Sequence, residues 1–408
     1  MPGSTLKEAM NLFNPRRSLS DSELDSYYVT RPNAPLEGMK TYLQINDEPV
    51  KVLFSGHRGS GKSTELRRLA RDLENDFFIV HVSAVNSLNI ADLNYVDVVL
   101  ACAAAIFREA TDKTRGVKIP PALAKDVFTW LASEITSETT ITTPKSGAIS
   151  AKINAFILSI EGKYGRESQT RTVIRDRLFT RVSDLIDRMD EICTAITTAT
   201  GHRTLIIFED IDKTDLAHAR DLFFEHSSTL NKMGCHIIYT FPIPLCYSTE
   251  FTERIGDYSK HFLLPNVSVH KEDDTPDPAG HSKLEEAITR RVSANLFTGE
   301  TLNDIISASG GLMRDLVRLV RDAALTALTN GEQTAITADV VHQAASEMGD
   351  DFRRLLRPEH YAALRSARGT KQIVPDETGR QLLENLSLLE YRTGRAWCDV
   401  HPVVRPLL

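Results

Sequence analysis

The stretch from Lys51 to Ala70, KVLFSGHRGSGKSTELRRLA, constrains the chain more than any other: an apolar run breaks into a glycine turn and restarts as a helix. Gly56, Gly61, Lys62 and Ser63 match G-x-x-x-x-G-K-[ST], and the strand before and helix after supply the context the motif needs. Gly56, Gly59 and Gly61 permit backbone angles and close approaches that a side chain forbids. The backbone from Gly56 through His57, Arg58, Gly59, Ser60, Gly61, Lys62, Ser63 and Thr64 can then turn its N–H groups inward around a phosphate chain. The helix opening at Lys62 adds its positive dipole end beneath the same anion. Lys62 would reach the β and γ phosphates and the Ser63 hydroxyl would hold Mg²⁺, while Thr64 either assists or fills the first turn. These residues predict an α/β fold of the P-loop type, built on a parallel sheet in three layers, that binds a nucleotide.

Arg203–Asp212, RTLIIFEDID, is the second chemical element. Leu205 to Phe208 make a buried strand that ends abruptly in Glu209 and Asp210, with Asp212 two residues on. Carboxylates at the C-terminal end of a central parallel strand sit where open α/β sheets bind ligands. One can orient Mg²⁺ and its waters while the next positions the attacking water, so Ser63, Glu209 and Asp210 are the metal candidates. Acidic residues also cap strand ends without further role; their coincidence with the glycine loop favours the chemical reading.

The composition excludes some classes. A net charge of −7 argues against a surface coated in basic groups for nonspecific nucleic-acid binding. Five scattered cysteines without C-x-x-C spacing predict a reducing compartment and no zinc site. The N-terminus lacks a secretory pattern, and the longest apolar run, Val98 to Phe107, is about half a membrane span. These features predict a cytoplasmic protein with no membrane partner.

Taken in order, the chain divides into an N-terminal strap (1–48), a P-loop core (49–270) with an insertion at about 136–168, a helical lid (281–356) and a winged helix (357–408). In the strap a short helix at Leu6–Phe13 precedes an irregular polar stretch, where Tyr28 or Val29 either contacts the base or packs the strap onto the core. Strands are expected at Asp76–Val85 and Cys235–Phe241; the second ends near Thr240, whose hydroxyl either meets the γ phosphate or pairs the strand. The insertion, threonine-rich and then alternating in AKINAFILSI, reads as a hairpin that serves as a partner surface or as an embellishment. Gln169–Thr198 keeps a period close to 3.6 and predicts one long amphipathic helix. Ala217–Met233 reads as helical too. An acidic, proline-containing linker, His270–Gly280, closes the core. In the lid Gly310-Gly311 opens a helix with Arg314 in its first turn, where arginine opposes the helix dipole unless it reaches an anion. The last segment reads as helix, helix and two strands around Thr393-Gly394.

With these motifs the chain resembles the AAA+ and STAND class of P-loop ATPases, bacterial proteins with an ATPase core, a helical lid and a C-terminal winged helix; its layout is similar to archaeal origin-recognition initiators. The resemblance implies ATP and Mg²⁺ as ligands and ATP hydrolysis as the activity. It matches Glu209 to the Mg²⁺-associated acid, Asp210 to the catalytic acid, Thr240 to the first sensor, Arg314 in GGLMRDLVRLV to the second sensor, and Arg254 to an arginine finger for a neighbouring subunit. One departure stands out. The family order is Asp-Glu or Asp-Asp where this chain has Glu-Asp, which holds the catalytic carboxylate about one methylene further from water and implies slow hydrolysis. Proteins similar to this in bacteria serve antiphage or mobile-element systems beside an effector, which implies a regulatory switch that assembles with itself and a protein partner. A DNA-binding initiator or transposition helper using the winged helix is the alternative, with a thin surplus of ten Arg/Lys over seven Asp/Glu from Asp351 onward. A scaffold that only binds ADP is a third.

Overall fold

In this computed structural model residues 2–117, 119–136, 155, 162, 164, 167–331 and 334–408 are described. Three helices precede the first strand: α1 (Leu6–Leu12), α2 (Asp21–Tyr27) and α3 (Leu36–Ile45). The first two start in capping boxes, Thr5 with Glu8 and Ser20 with Glu23, each satisfying amide groups that a helix end leaves free. The stretch expected to be irregular is therefore largely helical, and S-x-x-E was its signature.

The core follows as β1 (Lys51–Gly56), α4 (Lys62–Leu73), β2 (Phe77–Ser83), α5 (Ala84–Ser87), α6 (Tyr95–Thr111), α7 (Pro121–Thr136), α8 (Ser168–Phe179), α9 (Val182–Thr200), β3 (Arg203–Glu209), α10 (Leu216–Arg220), α11 (Ser227–Asn231), β4 (His236–Pro242), α12 (Thr249–Arg254) and β5 (Lys260–Leu263). The five strands form one parallel sheet in the order β2-β3-β4-β1-β5. Side chains alternate across it: Val52, Phe54, Leu205 and Ile207 meet α3 and α4, while Leu53, Ile206 and Phe208 meet α6 and α9. Both faces are covered, so the strands read as continuous apolar runs. This is the three-layer α/β architecture of a P-loop NTPase.

Two helix expectations need correction. Gln169–Thr198 is two helices, broken at Thr180–Arg181, and both send their apolar stripes (Ile174 and Leu178; Leu185, Met189 and Ile192) into the same core. The period survives the break because burial, not continuity, sets it. Ala217–Met233 is interrupted by a π-helical turn at Asp221–Glu225 that buries Leu222, Phe223 and Phe224. The hairpin expected within 136–168 lies outside the described residues.

The C-terminal part contains α13 (Pro278–Thr289), α14 (Thr301–Ala308), α15 (Met313–Thr329), α16 (Ala338–Leu355), α17 (Pro358–Thr370), α18 (Glu377–Glu384) and the antiparallel pair β6 (Leu388–Thr393) and β7 (Arg395–Val400). One apolar cluster runs through all of these and also takes in Leu6, Ala9 and Phe13 of the N-terminal segment. The first helix thus packs with the last third of the chain rather than with the sheet. Among the described residues no helix is long and apolar enough to cross a membrane.

Candidate functional site

β1 is buried along its whole length and ends where the chain must turn beneath α4. The turn needs its glycines. Gly59 has φ +91°, and a Cβ there would lie 2.6 Å from the Cβ of Arg314; Gly61, at φ +100°, is the residue from which α4 starts. Arg314 stands in the first turn of α15, and its amide donates to the Gly59 carbonyl at 3.0 Å. Helix α15 is therefore seated directly on the glycine loop.

Beside this loop lies a cavity of about 500 Å³. Its walls include Arg58 to Glu65, the strand-end residues Ser83, Glu209 and Thr240, the pair Asp210 and Asp212, and Met313 and Arg314 from α15. Tyr28 and Val29 line it as well. Val29 is also packed in the C-terminal apolar cluster, and the Tyr28 hydroxyl donates to Glu65 at 2.9 Å.

Lys62 is buried, with its ammonium donating to the carbonyls of Gly56 (2.7 Å) and His57 (3.0 Å) and paired with Asp212 at 2.9 Å. Burial alone would raise the Asp212 carboxyl, but the Lys62 ammonium outweighs it and holds that group below the usual carboxylate range. Glu209 goes the other way. Burial, helped by the neighbouring charge of Asp210 and opposed by the Ser63 hydroxyl, pushes its carboxyl up to about 7. Asp210 adopts a left-handed backbone, φ 72°, and its carboxylate takes the Ser83 hydroxyl at 2.6 Å and the Lys213 ammonium at 2.5 Å. Thr240 is buried on β4.

Among the expected site residues, the described geometry brings together the glycine loop, Lys62, Ser63, Thr64, Glu209, Asp210, Thr240 and Arg314. Two of the loop's own residues have side-chain partners outside the loop. The His57 imidazole accepts the Glu390 amide of β6 at 2.8 Å, and burial followed by the charge of Lys62 pushes it down to about 3. Arg58 donates to the carbonyls of Asp212 and Thr214, both at 3.2 Å. Arg254 ends α12, half exposed, 3.9 Å from Asp257, and does not line the cavity.

Sequence reading gives no role to two buried groups that the site depends on. Asp212 is the counterion of Lys62; the signal was a third acid just past the strand end. Arg31 pairs with Glu65 at 3.0 Å and donates to the Ser60 carbonyl at 2.6 Å, bracing the loop from below. An arginine next to proline in a polar stretch gives little hint of such burial.

The donor set around the rim is a hydroxyl and carboxylates, the hard oxygens that suit Mg²⁺. A carboxyl kept near 7 by burial and a neighbouring acid is one whose ionised form a divalent cation would favour.

No protein-family model matches the chain, and no curated protein does. Among solved structures, the Cdc6p of Pyrobaculum aerophilum is similar at 14% identity, covering 95% of this chain and 96% of that one, with a TM-score of 0.40. A Walker-type ATPase of Pyrococcus abyssi gives 14% identity, 97% and 99% coverage and a TM-score of 0.45. The RuvB Holliday junction branch migration motor of Thermotoga maritima gives 12%, 90% and 88%, and 0.34. At such distances the fold assignment rests on the strand order and the glycine loop.

Proposed function

We propose that the chain is an AAA+-type, Mg²⁺-dependent ATPase that works as a slow regulatory switch, controlling a protein partner or effector through nucleotide-dependent assembly in antiphage defence or a mobile-element system. One observation carries the reading: a single cavity is walled by the amides and ammonium of the glycine loop, by the acids at the end of β3 and by Arg314 of the lid helix. A triphosphate held there would be contacted from the core by Lys62 and from the lid by Arg314. ATP then has a differential affinity for the closed arrangement, which is what a switch requires.

In this reading Ser63, Glu209 and Asp210 hold Mg²⁺, which offsets phosphate charge when bound. Lys62 exchanges Asp212 and the loop carbonyls for phosphate oxygens. Asp210 orients the attacking water once it lets go of Lys213 and Ser83, and that requirement, with its short side chain, accounts for slow turnover. Thr240 is assigned as a sensor of the γ phosphate, and Arg254 as a group acting on a neighbouring subunit.

The test is phosphate release with and without Mg²⁺, together with light scattering in ATP and in ADP. Slow, Mg²⁺-dependent release lost in Lys62→Ala and in Asp210→Asn, with a larger particle in ATP than in ADP, is the expected result. Turnover that persists in Lys62→Ala removes the ATPase reading, and one particle size under all conditions removes assembly. The alternative, a DNA-binding ATPase, draws support from the order helix, helix, hairpin at α17 to β7, which fits a winged helix. Against it, Leu383 and Glu384 of α18 line a cleft with Arg58 and Pro242 of the core.

A further inference from the structure

We propose that Asn14–Leu19 is a strap that closes the nucleotide cavity within one chain, and that Arg16 on it contacts the phosphates; this rests on the nucleotide-binding reading above. The strap starts on the lid side, because Phe13, immediately before it, is buried in the C-terminal apolar cluster with α1. It ends on the core side. The Arg67 guanidinium of α4 donates to the Leu19 carbonyl and, at 3.1 Å, to the Ser18 hydroxyl, and the Leu19 amide lies 3.4 Å from the Thr64 hydroxyl. All of the residues between these two anchors line the cavity. The strap therefore runs along the cavity from the lid side to the core side, which places it to act as the gate.

Its two arginines differ. Arg17 is held by Glu23 in a two-pronged pair, at 2.7 and 2.5 Å. Arg16 lines the same cavity with no carboxylate in ion-pair range among the described residues. The surroundings point to what it meets. Ten basic side chains against five carboxylates line this cavity, in a chain whose net charge is −7, so the walls match a highly charged anion. The strap's core anchor lies on α4 one turn beyond Ser63, at the rim shared with Glu209 and Asp210, whereas the apolar wall suited to a base is built from Val29, Leu284 and Val317. Arg16, three positions before the anchored Leu19, is accordingly assigned to the phosphate end. The arginine completing the site comes in cis, and nucleotide exchange is gated by the strap.

Stopped-flow measurements with fluorescent mant-ATP and mant-ADP on the full chain test both parts. Arg67→Ala frees the core anchor and is expected to speed release of both nucleotides about tenfold. Arg16→Ala is expected to weaken mant-ATP about tenfold, the loss of one charge-assisted hydrogen bond, and mant-ADP less, with Arg16→Lys recovering part of the loss. Release and affinity both within about twofold of wild type in Arg67→Ala and Arg16→Ala, while Lys62→Ala abolishes binding, overturns the strap and leaves the nucleotide site standing. Undiminished binding in Lys62→Ala overturns the nucleotide reading instead.

Discussion

Glu209 and Asp212 are three residues apart, share one cavity and have carboxyls displaced in opposite directions, because only Asp212 has an ammonium against it. Their behaviour with pH and ligand separates accordingly. The Glu209 carboxyl lies near 7 when folded and near its ordinary 4.5 when unfolded, so between those values the folded chain holds more protons. Its contribution to stability therefore falls as pH rises from 4.5 and levels off above about 7, at a cost of about 3 kcal/mol. Glu209→Gln should be more stable than wild type by a margin that grows over that window, followed by urea unfolding at several pH values. At pH 7, where the carboxyl is near half protonated, Mg²⁺-nucleotide binding should release about half a proton, read by calorimetry in buffers of different ionisation enthalpy. Glu209→Gln should release none. Asp212→Asn leaves the buried Lys62 ammonium without its counterion and should cost about 3 kcal/mol. Phosphates can replace that counterion, so ATP should raise the melting temperature of Asp212→Asn by more than it raises wild type. An equal shift would mean that Asp212 does not neutralise Lys62.

At the scale of elements, the glycine loop is held from three sides: Arg31 below, Arg314 above, and β6 through the His57–Glu390 contact. His57→Ala would leave the Glu390 amide buried without an acceptor, at about 1–3 kcal/mol. Hydrogen exchange should then speed at Glu390 relative to Leu388 and Leu389 on the same strand, and protection unchanged at Glu390 would argue that the loop does not anchor the hairpin. How much of this was legible follows from the range of the forces. The loop, β3 with its acids, and the two-faced apolar strands are local patterns, and they are where sequence reading places them. α2 was legible too, through the Ser20–Glu23 box, yet its polar run hid it. The break at Thr180–Arg181 was not, since the apolar stripe continues across it. Nor were the partners of Arg31, Asp212 and His57, which lie 34, 150 and 333 positions away. Arg314 was found because a basic first turn is unfavourable on its own and so asks for an explanation.

Over the whole molecule, the last 58 residues carry only a thin basic surplus for reading DNA, and the geometry engages most of their cations. Asp399, fully buried, accepts from Arg368 at 2.5 Å and Lys371 at 2.6 Å and pairs with Arg405 at 3.1 Å. Arg380 is paired with Glu377, Arg395 with Glu272, Arg353 with Asp350 and Arg354 with Asp351. Only Arg357, Arg365 and Arg392 are left without a carboxylate partner among the described residues of this segment, and Arg365 already donates to the C-terminal Leu408. α18, the second helix of the helix-helix-hairpin unit, adds acids of its own in Glu377 and Glu384. Each phosphate neutralised contributes about −0.9 to the slope of log K against log salt, so Arg357 and Arg392, joined by Arg365 if it lets go of Leu408, support a slope no steeper than about −3. Titrating a labelled duplex in ATP at several salt concentrations should therefore give weak binding with a shallow dependence. A slope near −6 or steeper would mean that the pairs around Asp399 open to release their cations, and that the C-terminal unit is a DNA-binding surface in the ATP state.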